Sequence, residues 1–195
     1  MTEAPPAQQL SMHSMNSIDG SLVPVKLSGP VTGRRVVLFG DPTGEDHEPL
    51  CARLHVAMFR TVVLPADRGL TPKSIVGILD QLGVVGGVLV STGAGARLAW
   101  SLAATHGEHF TGLVTVGSGH PAVPDARGRT HDEHCPTVEV DTTILVDGRT
   151  AHAVALASRR RVRGEFRLVD LAGPVGSRHF TAQLATEIVV RGLSR

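Results

Sequence analysis

Tyrosine is absent from this 195-residue chain, tryptophan occurs once and phenylalanine five times. So few aromatics exclude a stacking surface for nucleobases. They leave the core to Val, Leu, Ile and Ala. Lysine occurs only as Lys26 and Lys73. The other cations are arginines, and with abundant Ala, Val and Gly this reads as the codon bias of a GC-rich bacterial genome, not as a functional signal. Net charge is +1, which excludes a broad polyanion-binding face, so no nucleic-acid partner is expected. Cysteine is limited to Cys51 and Cys135. Two distant thiols make no disulfide scaffold and point to a reducing, cytoplasmic setting. No apolar run reaches the roughly 20 residues of a membrane-spanning helix. The N-terminus carries no basic region followed by an apolar core. Neither membrane insertion nor secretion is expected.

What is present is the composition of a globular domain, 42% hydrophobic and 19% charged, at a length that suits one core. Residues 1–18 lack sustained periodicity and read as a flexible tail. Ser21 to Leu27 alternates weakly and suggests an edge strand, where Pro24 is tolerated. Arg35–Gly40, Phe59–Leu64, Val84–Ser91 and Gly112–Gly117 are continuous apolar runs, the pattern of strands covered on both faces. Helical spacing falls between them. Pro49–Met58 carries Leu50, Leu54 and Ala57. The helix after Thr71 (N-cap) and Pro72 (first turn) carries Ile75, Ile78, Leu79 and Leu82, with Gly83 at its end. Ala94–Thr105 carries Leu98, Ala99 and Leu102. Residues 118–136 form a long polar loop. Val138–Val146 holds one or two strand segments, Ala151–Arg161 a helix, Phe166–Leu171 the last strand and Phe180–Leu193 the last helix. Strands alternating with helices predict a doubly wound, mostly parallel α/β sheet with helices on both faces.

One stretch organises the rest. Gly87 to Trp100 reads as a buried strand, a tight glycine turn at Ser91-Thr92-Gly93-Ala94-Gly95 and a helix. This is the small-x-nucleophile-x-small pattern of a nucleophile elbow, which lifts one side chain above a sheet. The nucleophile position carries Gly93, which has no side chain.

The order of parts resembles the α/β-hydrolase family over roughly residues 19–195. Asp19-Gly20 through Gly40 is similar to its opening hairpin and first parallel strand, and Leu64-Pro65-Ala66-Asp67-Arg68-Gly69 to its Asp-x-x-Gly loop. Asp80–Val84, the elbow, and Phe110–Gly117 continue the match. The resemblance implies an oxyanion region beside the first parallel strand, where Phe39-Gly40 replaces the frequent His-Gly. It implies a catalytic acid after the strand at Ile144–Val146, where Gly148, Arg149, Thr150 and Ala151 supply no carboxylate. Were the strand Thr137–Asp141, the matching place near Leu145 would also lack one. It implies a catalytic His after the last strand, at about Gly176; His179 lies three residues on. The cap that the family inserts after Gly117 has shrunk to about 18 residues.

The candidate side chains carry alternatives. Ser91 and Thr92 precede the turn, with side chains expected to point away from its apex and to bond local backbone. Ser118 ends a parallel strand, where open sheets place ligands, and lies two residues from His120. His131-Asp132-Glu133-His134-Cys135, with His120, offers zinc-type ligands. One short cluster supplies two ligands rather than four, so a solvated loop is favoured and no metal or other cofactor is expected. His179 is either a shifted base or a surface residue, with Asp147 as a partner to orient it. The Arg159-Arg160-Arg161 run with Arg163 complements a helix dipole or stays solvated rather than binding phosphate.

The expected protein is therefore a pseudoenzyme on an α/β-hydrolase-like domain (residues 19–195). It is expected to bind a small ligand or a protein, with no catalytic residue. Phe39, Gly40, Asp41 and Gly93 are expected to line one pocket with Ala94, Ser118, His120 and His179. A small molecule or anion, a second copy, or another protein is the expected partner. The alternative is a serine hydrolase that uses Ser91, Thr92 or Ser118 with His120 or His179. A third reading places metal-dependent activity at His120, His131 and His134.

Overall fold

A computed structural model describes residues 10–43, 46–66 and 69–194. Eight strands form one sheet. They are β1 (Ser11–Asn16), β2 (Leu22–Ser28), β3 (Arg34–Phe39), β4 (Phe59–Leu64), β5 (Gly87–Thr92), β6 (Phe110–Val116), β7 (Asp141–Val146) and β8 (Phe166–Asp170). Their spatial order is β1-β2-β4-β3-β5-β6-β7-β8. The first two pairings, β1 with β2 and β2 with β4, are antiparallel, and the rest are parallel.

Among the described residues, five α-helices cover both faces: α1 (Glu48–Val56), α2 (Pro72–Gln81), α3 (Ala96–Thr105), α4 (Gly148–Ser158) and α5 (Arg178–Leu193). Leu50 and Leu54 of α1 join Leu184 and Ile188 of α5 against Val36, Leu38, Val63 and Val90 on one face. Ile75, Ile78 and Leu79 of α2, Ala99, Trp100 and Leu102 of α3 and Ala155 of α4 pack on the other. Aliphatic side chains dominate both layers, as the scarcity of aromatics requires. Among the described residues, no helix is long and apolar enough to cross a membrane.

Local sequence explains most boundaries. Thr71 caps α2 by accepting a hydrogen bond from the Ser74 N–H at 3.1 Å, and Pro72 occupies the first turn. Gly83 follows α2 in the left-handed region, φ 63°. The helix after the elbow starts two residues later than its spacing suggests, because Gly93–Gly95 winds as a 3₁₀ turn first. Val138 forms a single bridge to Val162, and the main strand begins at Asp141.

Three expectations need correction. The tail assigned to residues 1–18 contains β1, which pairs residue for residue with β2. Ser11–Asn16 has no β-branched residue, and of its side chains Met15 packs against the core, so the stretch carries little hydrophobic signal. Residues 1–9 of that tail lie outside the described residues. The strand at Pro24 is not the edge, because β1 covers it. Pro24 is tolerated because β4 pairs only with Lys26–Ser28, beyond the proline. Ala57 is not on the buried face of α1; the helix stops at Val56 and Ala57 is exposed past its end.

The register sets the site. Phe39 lies opposite Ser91, and Ser91 opposite Thr115. Val116 lies opposite Leu145, and Leu145 opposite Val169. The chain therefore leaves β3, β5, β6, β7 and β8 along one common edge, the carboxyl edge where open α/β sheets hold ligands.

Candidate functional site

The turn after β5 stands at the middle of that edge. Thr92 is extended, and Gly93 takes φ 76°. L-residues reach this region at a cost of about 1–2 kcal/mol, and glycine reaches it freely. Nothing lies within 4 Å of where a Gly93 side chain would begin. The elbow geometry is present and the space above its apex is open. Gly95 serves a different purpose. A methyl group there would sit inside the van der Waals surface of Phe39 Cβ, 3.2 Å from Phe39 Cγ and 3.1 Å from Ser91 Oγ. The small residue lets the turn before α3 seat directly against Phe39 at the end of β3 and Ser91 in β5.

Two cavities flank the turn, both of ordinary ligand-site size. One, of about 570 Å³, is lined by Gly93, Ala94, Arg97, Gly117 to Pro121 and part of the following loop, including Arg127, Arg129 and His131. The other, of about 610 Å³, lies on the β3 side. Phe39, Gly40, Asp41, Leu50, Thr92, Ala94, Phe180 and Leu184 are among its walls. The residues of the expected pocket are thus spread over two cavities, with Ala94 lining both.

The structure separates the candidate catalytic side chains. Ser91 is 1% exposed, lines neither cavity, and its Oγ has no hydrogen-bond partner. The expected bond to local backbone is not made, because the hydroxyl sits beneath the elbow beside Gly95. Thr92 is half-buried and lines the β3-side cavity. Ser118 lines the other cavity, with a buried Oγ that also has no partner.

His120 is fully buried and locked. Its Nδ1 accepts the Ala122 N–H at 3.2 Å, and its Nε2 lies 2.8 Å from the Pro136 carbonyl oxygen. An acceptor at Nδ1 and a carbonyl at Nε2 fix the Nε2–H tautomer. Burial lowers its pKa, which keeps it neutral. The Trp100 ring meets it edge-on at 5.4 Å, and its backbone N–H donates to Ser158 Oγ at 2.9 Å. Neither ring nitrogen is left to take a proton from Ser118 or to bind a metal. Proximity in sequence did not become base geometry.

His179 is exposed on the first turn of α5 and lines neither cavity. It therefore leaves the expected pocket. Asp147 is exposed at the start of α4 and makes no capping hydrogen bond. Among the described residues, no hydrogen bond or ion pair joins Asp147 to His179. The three histidines of the metal reading are also apart. His131 pairs with Asp125 at 3.2 Å, and His134 is exposed outside both cavities. Among the described residues, no group of three His, Cys, Asp or Glu could hold a metal ion.

Two features escape sequence reading. His47, just before α1, folds its imidazole onto Gly40 and lines the β3-side cavity. Burial pushes its pKa down, against the opposing pull of Asp46. The second is a charge cluster in the loop after β6. Asp125 accepts the Arg129 and Arg127 backbone N–H groups at 2.9 and 2.8 Å. It also meets the Arg129 guanidinium at 3.3 Å and His131. The Arg129 N–H foremost, then the Arg127 N–H, hold the Asp125 carboxyl down at about 2, against some desolvation. Arg127 and Arg129 in this loop were the available signal.

No family model matches this chain, and no curated protein matches it. Solved structures do match. Dienelactone hydrolase from Anabaena variabilis aligns with a TM-score of 0.70 at 17% identity, covering 94% of this chain and 96% of that one. Epoxide hydrolase A from Mycobacterium thermoresistibile aligns at 0.68 and 11% identity, over 94% and 98%. Alpha/beta hydrolase domain-containing protein 10 from mouse aligns at 0.66 and 13% identity, over 95% and 100%. The chain has the α/β-hydrolase fold.

Proposed function

We propose that this chain is a catalytically silent α/β-hydrolase-fold domain that binds a small molecule without forming or breaking bonds. One observation carries the reading. The apex of the elbow is Gly93, left-handed and open, so the position that would attack an ester holds no nucleophilic atom. Covalent acyl transfer needs a nucleophile, a base and a group that orients the base. The neutral His120 with both nitrogens engaged, and the exposed, unjoined Asp147 and His179, support the absence of the other two. The free, buried thiols Cys51 and Cys135 support a reducing, cytoplasmic setting.

Ester turnover tests this. Purified protein is expected to show no saturable hydrolysis of p-nitrophenyl acetate above buffer. Gly93→Ser is expected to raise the rate less than tenfold, because the new hydroxyl has no base, and to lower stability by about 1 kcal/mol through its backbone angle. Saturable wild-type turnover that one pocket substitution abolishes would end the proposal.

A second reading has one observation in its favour: Ser118 lines a cavity, and among the described residues its buried Oγ has no hydrogen-bond partner. It requires a base, and His120 is already committed to Ala122 and Pro136. The first reading is therefore preferred.

A further inference from the structure

We propose that the site takes an amphiphilic organic anion. Its carboxylate or phosphate head would lie with Arg97 and Arg127 in the Ser118 cavity, and its apolar body would cross Ala94 into the Phe39 cavity. This rests on the non-covalent reading above and names the ligand class for it.

The head-group end follows from the local charge balance. Four cationic or potentially cationic side chains line the Ser118 cavity: Arg97, Arg127, Arg129 and His131. The one carboxylate among the lining residues, Asp125, is already shared by Arg129 and His131. Neither Arg97 nor Arg127 has a side-chain hydrogen bond or ion pair among the described residues. Two guanidinium groups without counter-charge beside a concave surface attract an oxyanion, and their planar forks suit carboxylate or phosphate. The ten-residue helix α3 points its positive end at the same place.

The apolar end follows from the other cavity. Phe39, Leu50, Val175, Phe180 and Leu184 contribute apolar wall, and Asp41, Asp46 and His47 also line this cavity. The apolar side chains favour hydrocarbon, and the two carboxylates disfavour an anionic head at this end. Ala94 is common to both cavities and exposed, and Gly93 beside it projects nothing. A chain extending from the arginines therefore meets only a methyl group before the apolar wall. In this arrangement the missing nucleophile is what opens the passage between the two halves.

Isothermal titration calorimetry on the full chain tests the proposal with acetate, butyrate, hexanoate, octanoate, octyl phosphate and neutral 1-octanol. Affinity is expected to rise about threefold per methylene along the carboxylates. Octanoate or octyl phosphate should bind at least tenfold tighter than 1-octanol, with affinity falling as salt rises. Comparing the two octyl anions separates a carboxylate from a phosphate head. The double variant Arg97→Ala/Arg127→Ala should lose about tenfold for the preferred anion and most of the salt dependence. Ala94→Trp should remove the chain-length gain. Circular dichroism and Tm confirm that each variant is folded.

Equal affinity for 1-octanol and both octyl anions, a chain-length gain that survives Ala94→Trp, or no binding of any of these ligands would each overturn the proposal. Those failures, in protein without esterase turnover, leave the non-covalent reading standing. Turnover itself would remove that reading instead.

Discussion

Arg191→Ala is expected to lower the free energy of unfolding by about 3 kcal/mol, a large share of the roughly 5–15 kcal/mol that holds a domain together. The Arg191 side chain is 1% exposed, though it sits on the last helix. Its Nε donates to Thr143 Oγ1 at 2.7 Å, and its Nη2 reaches the Thr142 carbonyl at 3.4 Å. Its Nη1 pairs with Glu165 at 3.3 Å and Asp141 at 3.6 Å. The stem packs over Gly112, with Cβ 3.4 Å from where a side chain there would begin.

Which effect dominates depends on what the truncation strands. The Glu165 and Asp141 side chains are 66% and 34% exposed, so water recovers their charges, and the ion pairs themselves are worth little. The cost lies in the cavity left by the stem and in the buried Thr143 hydroxyl left without its donor. Arg191→Met fills most of the volume and should therefore cost only about 1–2 kcal/mol. Urea unfolding checks the difference. For a chain of this size, about 3 kcal/mol corresponds to a Tm lower by about 10 °C. Equal losses for Ala and Met would mean that the charge, not the packing, carries the contribution.

Gly95→Ala is expected to cost about 2–3 kcal/mol and to weaken ligand binding, although it adds one methyl group two residues from an open surface. The added carbon collides with buried Phe39 and crowds Ser91 Oγ, both held in the sheet. Relief requires the elbow and the start of α3 to lift off β3, which is the overpacking penalty. Gly93→Ala makes the opposite case. It meets no atom within 4 Å, and its cost is the left-handed backbone angle alone, about 1 kcal/mol. Chemical denaturation of the two variants side by side separates steric from conformational cost. A Gly95→Ala variant as stable as wild type would contradict the close seating of α3.

The fold was largely legible because the central parallel strands carry runs of apolar residues closed by Gly, Pro or a polar turn. Val36–Phe39, Val62–Leu64 and Val88–Val90 need to be apolar on both faces, and the sequence shows it. The turn after β5 was legible through its glycines, and Gly93 takes the left-handed angle there. What was hidden depends on contacts that periodicity does not encode. Ser11–Asn16 becomes a strand because β2 offers it a partner, not because its own residues favour one. Glu187 and Arg191 look like the polar face of α5, yet both are buried, Glu187 pairing with Arg167 at 2.9 Å. The state of His120 hangs on the Ala122 N–H and the Pro136 carbonyl, which only the folded loop brings to its two nitrogens. The spread of the expected pocket residues over two cavities that share Ala94 likewise appears only once the loops after β3 and β6 are in place.

The central claim is that the site above Gly93 holds ligands and makes no covalent bond. Incubation of folded protein with a fluorophosphonate probe, followed by intact-mass and peptide mapping, tests it most directly, because the probe reports any activated serine whatever its natural substrate. The account predicts unmodified protein, with Ser91 and Ser118 both free. A stoichiometric adduct on one serine, lost on denaturation before labelling, would contradict it.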